Sequence, residues 1–313
     1  MKPDLLLPGK LMPYVMERLA AHYQVHKLYE AKDPEAFLRE VGGRIRAIAT
    51  AGHIPVPASL IDACPKLEII SSFGVGTDAI DVAHARKRGV VVGNTPDVLN
   101  DDVANLAVAL VLATTRRIPA YDRYVREGRW AREGDPPLTR GIAGRQIGIV
   151  GFGRIGRAIA EKLQVFNCKI AYFARNKRSD APYRYYADLV EMARDSAVLI
   201  VIVPGGKETE KLIDRTVIDA LGPEGILVNI ARGSVVDEEA LVAALQEGRL
   251  GGAGLDVFAD EPNVPPALLS MENVALQPHQ GSATVETRRA MGDRMLDNLA
   301  AHFEGRPLPS ALP

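Results

Sequence analysis

The stretch that most constrains this chain is Gln146–Arg157, QIGIVGFGRIGR. The apolar run Ile147–Val150 reads as a buried strand and leads straight into Gly151-Phe152-Gly153-Arg154-Ile155-Gly156, a G-x-G-x-x-G. Beyond it, Ile155, Ile159, Leu163 and Phe166 recur at the spacing of one apolar helix face. Each glycine then has its own task. Gly151 permits the tight turn, Gly153 lets the backbone approach a diphosphate, and Gly156 lets helix and strand pack closely. The start of the helix offers unpaired N–H groups and the positive end of its dipole to an anion. An isolated G-x-G-x-x-G is often an ordinary loop; the flanking strand and helix are what turn this one into a dinucleotide-binding prediction.

Further apolar runs alternate with helical stretches, which argues for parallel sheets with crossover helices. Asp4–Leu7, Arg44–Ala49, Glu68–Ser71 and Val90–Val92 read as strands before the glycine loop, with a helix over Met12–His22. After the loop come Lys169–Phe173, Val198–Val203, Gly225–Ile230, Gly252–Val257 and Val274–Gln277. A helix is expected from about Leu99–Asp101 to Thr115, another over Glu238–Gln246, and a closing one from about Thr284. Pro96–Leu99 reads as the crossing between two domains. Residues 116–145 read as a less regular arm, rich in Arg, Gly and Pro and holding the only tryptophan, Trp130. An aromatic on such an arm serves ordinary packing or docking on a second subunit, and the sequence leaves both open.

At 313 residues there is room for two cores. A net charge of −1 gives no electrostatic reason to expect nucleic acid or an anionic membrane as partner. Cys64 and Cys168 cannot make a disulfide framework and lack metal-ligand spacing, so two buried thiols and no metal are expected. The N-terminal apolar run is too short for a signal peptide, and Val103–Ala113 is too short to span a bilayer. The expectation is a soluble, cytoplasmic protein.

In NAD-binding folds an acidic residue about 20 positions past the glycines holds the ribose 2′-hydroxyl. Here Ala174 takes that place and Arg175-Asn176-Lys177-Arg178 follows. With no carboxylate to repel a 2′-phosphate and three cations to attract it, NADP(H) is the expected coenzyme, with NADH weaker.

Arg232, Glu261 and His279 fall just beyond three successive strands of the second domain. Singly, each reads as a surface ion pair, a turn residue or a structural histidine. Together they suit one reaction. Hydride addition to a carbonyl leaves an alkoxide that needs a proton, and imidazole titrates near working pH. A carboxylate beside it would orient the ring, and a guanidinium can fork onto a substrate carboxylate.

These motifs resemble the D-isomer-specific 2-hydroxyacid dehydrogenase family across nearly the whole chain. The resemblance is carried by Phe73–Asp78 (FGVGTD), the glycine fingerprint, Asn229–Glu238, Gly254–Pro262 and Pro278–Ala283. It implies a Rossmann coenzyme domain (98–282) and a flavodoxin-like substrate domain (1–97 with 283–313), both doubly wound, with a cleft between them. It implies Arg232, Glu261 and His279 as the catalytic set, and Val75 and Gly76 amides for the substrate carboxylate. The residues alone read Ser72–Thr77 as a plain turn. It places Arg154 and Ile155 at the diphosphate, Pro204 near the adenosine, Asp256 at the nicotinamide carboxamide and Ile230 among the coenzyme contacts. A homodimer is implied too, with Trp130 able to reach the neighbouring subunit's site. Tyr172–Arg178 is similar to the NADPH-using glyoxylate/hydroxypyruvate and hydroxyphenylpyruvate reductases. Reduction of a small 2-oxo acid is the expected activity. Bulkier aromatic 2-oxo acids are the alternative, and a nucleotide-sensing binding protein is the rival of a different class.

Overall fold

A computed structural model describes residues 2–312. The chain divides into two compact units, Met1–Leu99 with Thr284–Pro313, and Asn100–Ala283.

Among the described residues the first unit has one parallel sheet of five strands: β1 (Asp4–Leu7), β2 (Gln24–Lys27), β3 (Ala47–Ala51), β4 (Ile69–Phe73) and β5 (Val91–Gly93). Their order, β2-β1-β3-β4-β5, reverses direction between β1 and β3, as in flavodoxin-like folds. Every residue of β3 and β4 is buried, which is why those strands are continuous apolar or small-residue runs. The edge strand β2, Gln-Val-His-Lys, is mostly polar and carries no such signal. The strand expected at Arg44–Ala49 starts only at Ala47, where pairing with β1 begins, because Gly42–Arg44 tighten into a 3-10 turn. The closing helix Val285–Phe303 is capped by the Thr284 hydroxyl, which accepts from the Thr287 N–H. It packs on β4, where Ser71 Oγ donates to the Met295 carbonyl at 3.0 Å.

The second unit has a parallel sheet of seven strands among the described residues: β6 (Gln146–Val150), β7 (Lys169–Phe173), β8 (Arg184–Tyr186), β9 (Val198–Val201), β10 (Ile226–Asn229), β11 (Gly252–Leu255) and β12 (Val274–Leu276). The order β12-β11-β10-β9-β6-β7-β8 is the doubly wound dinucleotide-binding order with one strand added. It reverses between β6 and β9, so the glycine loop after β6 opens at the switch point where such sheets take ligands. The helix Asn100–Thr115 lies against β10, β11 and β12. It comes close because Gly254 has no Cβ; one there would stand 2.9 Å from Thr114 Oγ1 and 3.1 Å from Leu110 Cβ.

Three expectations need correction. The arm is more regular than its composition suggests: helices Ile118–Arg126 and Arg129–Glu133 occupy it, separated by Gly128 in a left-handed conformation. Pro119 sits in the first turn of the former, where a missing N–H costs nothing. The helix after the glycine loop ends at Gln164, so Phe166 lies beyond it, in the turn. Cys64 is fully buried but Cys168 only partly.

No single helix among the described residues is long and apolar enough to cross a membrane. The pair Asn100–Thr115 and Ile118–Arg126 reaches that apolar length only together, bent by 58° at its break.

Candidate active site

The glycine loop has the geometry its sequence calls for. Gly151 has φ +100, and a Cβ on it would meet the Ile202 carbonyl oxygen at 2.4 Å. A Cβ on Gly156 would stand 2.2 Å from the Gly151 carbonyl oxygen, so helix and strand touch there backbone to backbone. Gly153 differs: nothing lies within 4 Å of where its Cβ would be. No side chain caps the N-terminus of the helix Arg154–Gln164. Open space facing an uncapped helix start fits a diphosphate.

Beyond β7 the acidic position is Ala174, and Arg175, Asn176, Lys177 and Arg178 are all exposed. Arg175 Nη1 pairs with Glu208 Oε2 at 3.2 Å, on the loop that follows β9 and Pro204. Both partners are exposed, so the pair is weak and exchangeable.

Adjacent strands β10, β11 and β12 deliver the three ionisable groups at their carboxyl ends. His279 Nδ1 lies 2.8 Å from Glu261 Oε2, which turns the Nδ1–H onto the carboxylate and leaves Nε2 for another partner. Glu261 Oε1 also accepts from the Phe258 N–H at 3.1 Å. Burial works to raise the Glu261 carboxyl and is the largest single influence on it. The His279 hydrogen bond and charge, the Phe258 N–H and the Arg232 charge together outweigh burial and hold it below the usual carboxylate range. Arg232 therefore acts electrostatically on the same carboxylate, while its Nη1 donates to its neighbour's carbonyl at Ala231.

His279 is held in a left-handed conformation, φ 54, which costs a non-glycine residue on the order of 1 kcal/mol. Asp256 holds it there. The Asp256 carbonyl accepts from the His279 N–H at 2.8 Å, and its two carboxylate oxygens accept from the Gln280 and Gly281 N–H groups at 2.6 and 2.9 Å. Burial pushes the Asp256 carboxyl above its ordinary range, against those two N–H bonds.

Three supporting residues carry no role in the sequence reading. Asn229, nearly fully buried, donates to the Arg232 carbonyl and accepts from the Ala231 N–H, shaping the arginine's loop. Glu238 Oε2 accepts from the Ala259 N–H at 3.0 Å. Gly233 lets the Arg232 loop lie against the Phe258–Ala259 backbone; a Cβ there would fall 1.9 Å from the Phe258 carbonyl carbon. A glycine directly after an arginine at a strand end is the signal that could have disclosed this contact.

Val75 and Gly76 follow β4 in the first unit, where Asn94 Nδ2 donates to the Val75 carbonyl at 2.9 Å. Trp130 is 57% exposed, and its indole N–H donates to Asp135 of the same chain. Ile230 and Pro204 follow β10 and β9.

Residues 108–281 match the model of the D-isomer specific 2-hydroxyacid dehydrogenase NAD-binding domain. The chain belongs to the D-isomer specific 2-hydroxyacid dehydrogenase family. Among family relatives, the hydroxyphenylpyruvate reductase of Plectranthus scutellarioides is 49% identical over 97% of this chain and 96% of its own length. The solved structure of a 2-hydroxyacid dehydrogenase from Ketogulonicigenium vulgare Y25 is 48% identical, with TM-score 0.93 over 100% of this chain and 99% of the other. An NADPH-dependent glyoxylate/hydroxypyruvate reductase from Sinorhizobium meliloti, solved with NADP and malonate, is 45% identical, with TM-score 0.92 over 100% and 97%. Family membership brings a nicotinamide dinucleotide as coenzyme, and the open Gly153 cradle suits one.

Proposed function

We propose that this dehydrogenase reduces small 2-oxo acids, glyoxylate and hydroxypyruvate foremost, with NADPH. The observation that carries the reading is the His279–Glu261 hydrogen bond at the ends of adjacent strands, with Arg232 acting on the same carboxylate. When bound, the reduced dinucleotide supplies a hydride. His279 supplies the proton: with Nδ1–H bound to ionised Glu261, Nε2–H donates to the substrate carbonyl oxygen and the ring is left neutral. Arg232 pairs with the substrate carboxylate and polarises the carbonyl. In the first, substrate-binding unit the Val75 and Gly76 amides are donors suited to a carboxylate.

In the second, coenzyme-binding unit Gly151, Gly153, Arg154, Ile155 and Gly156 take the diphosphate. Asp256 accepts from the carboxamide, and Pro204 and Ile230 complete the coenzyme contacts. Arg175, Asn176, Lys177 and Arg178 take the 2′-phosphate. Alanine in place of the ribose-binding acid supports NADPH, as does a relative of 45% identity that is NADPH-dependent. A bulkier 2-oxo acid is the second reading, favoured by the hydroxyphenylpyruvate reductase at 49% identity. A homodimer accompanies either reading, with Ile118, Val125, Trp130 and Leu138 exposed on the arm for a second copy. Sedimentation equilibrium reads it out.

Steady-state oxidation of NADPH and of NADH with glyoxylate, hydroxypyruvate and hydroxyphenylpyruvate tests the assignment. The highest kcat/KM is expected for NADPH with one of the two small acids. Preference for the aromatic acid would favour the second reading. Tight nucleotide binding without turnover on any of them would refute both.

A further inference from the structure

The turn Ala174–Arg178 has no regular structure of its own, yet tyrosine hydroxyls fix both of its ends. Tyr172 on β7 is fully buried. Its hydroxyl accepts from the Arg178 N–H at 2.8 Å and lies 3.4 Å from the Arg178 carbonyl, to which it donates. Tyr185 on the neighbouring β8 donates to the Ala174 carbonyl at 3.3 Å. The two rings pack 5.4 Å apart, and Tyr172 also stacks at 4.3 Å on Phe152, which stands between Gly151 and Gly153. One aromatic cluster thus joins the diphosphate loop to the basic turn.

We propose that Tyr172 and Tyr185 are positioning residues for coenzyme selection, pinning the basic turn so that its cations meet a 2′-phosphate. The inference rests on the NADPH reading above. Arg and Lys side chains lose much rotamer freedom when they grip a phosphate. If their backbone is already held at both ends, only the side chains remain to be ordered on binding. A coenzyme without the 2′-phosphate draws nothing from these cations, so loosening the turn leaves its affinity alone. Selectivity is therefore the signature that separates positioning from general support of the fold.

Tyr172→Phe and Tyr185→Phe keep the rings and remove the hydroxyls. Calorimetric titration of each folded variant with NADPH and with NADH, beside a thermal melt, is the test. Tyr172→Phe removes both bonds to Arg178 and is expected to weaken NADPH by about fivefold, the worth of one ordinary hydrogen bond, and NADH by less than about twofold. Tyr185→Phe should act in the same direction and less strongly. Equal weakening of both coenzymes, or unchanged NADPH affinity in both variants, would overturn the inference while leaving the NADPH reading intact. Equal wild-type affinity for NADPH and NADH would overturn that reading, and this inference with it.

Discussion

Replacing Gly233 by alanine puts a methyl group where the structure has backbone. The added carbon would lie 1.9 Å from the Phe258 carbonyl carbon, 2.0 Å from its oxygen and 2.4 Å from the Ala259 nitrogen. Ordinary contact begins near 3.4 Å, so the two loops must separate by about 1.5 Å. Main-chain atoms cannot rotate out of the way as a side chain could. The displaced segment is the one whose Phe258 N–H holds Glu261 and whose Ala259 N–H is held by Glu238. Arg232 sits directly on the other side of the glycine. A shift of that size at the proposed catalytic residues is worth about 10²-fold in kcat. Overpacking against backbone costs on the order of 3 kcal/mol, which lowers the melting temperature of the second unit by about 6–12 °C. The glycine loop and the basic turn follow β6 and β7, with β9 between them and β10, so NADPH affinity should fall far less than kcat, the loss coming through Ile230 and Asp256 beside the shifted segments. Steady-state kinetics, calorimetric NADPH titration and a thermal melt read the three effects separately. Wild-type kcat and melting temperature in Gly233→Ala would refute the close-approach argument.

Gly153→Ala and Gly156→Ala should part company. With open space at its Cβ, Gly153→Ala keeps the wild-type melting temperature but weakens NADPH by about tenfold or more. Gly156→Ala, 2.2 Å from a carbonyl oxygen, loses both. Calorimetry and a melt distinguish them. Arg175→Ala should weaken NADPH far more than NADH; equal losses would count against a 2′-phosphate contact. In thiol titration of the native protein, half-buried Cys168 should react slowly. Cys64, fully buried with its thiol pushed up to about 11 by burial, should react only on unfolding. Glu68 is held below the usual carboxylate range chiefly by its Arg46 hydrogen bond, with burial opposing and His302 assisting. A depressed acid stabilises above its unfolded pKa, and that contribution is lost as pH falls through the folded value. Glu68→Gln should therefore cost stability at neutral pH and little in strong acid, read from denaturant midpoints across pH.

Most of the fold was legible because parallel strands buried on both faces must be apolar throughout. Lys169–Phe173 and the helix Glu238–Gln246 fall where their patterns put them. The short edge strands β2 and β8 escaped, since an edge strand wets one side and reads as polar sequence. The arm looked irregular because Arg and Gly are frequent in it; its helices are fastened by bonds across the arm such as Tyr124 hydroxyl to Gly134 carbonyl, which helical periodicity does not announce. At the site, the succession of strand ends pointed to Arg232, Glu261 and His279. What holds them was hidden. Asp256 was read as a coenzyme contact, and its grip on three consecutive N–H groups around His279 depends on a left-handed backbone that only coordinates disclose. The steric role of Gly233 and the hydroxyls beneath the basic turn likewise belong to packing between distant segments.

In the proposed reaction His279, oriented by Glu261, gives up the proton. The most direct measurement is kcat for 2-oxo acid reduction by His279→Gln, taken beside the NADPH dissociation constant of the same variant. A fall in kcat of about 10²–10⁴-fold is expected, with coenzyme affinity essentially unchanged. A variant that turns over within a few-fold of the wild type would contradict it.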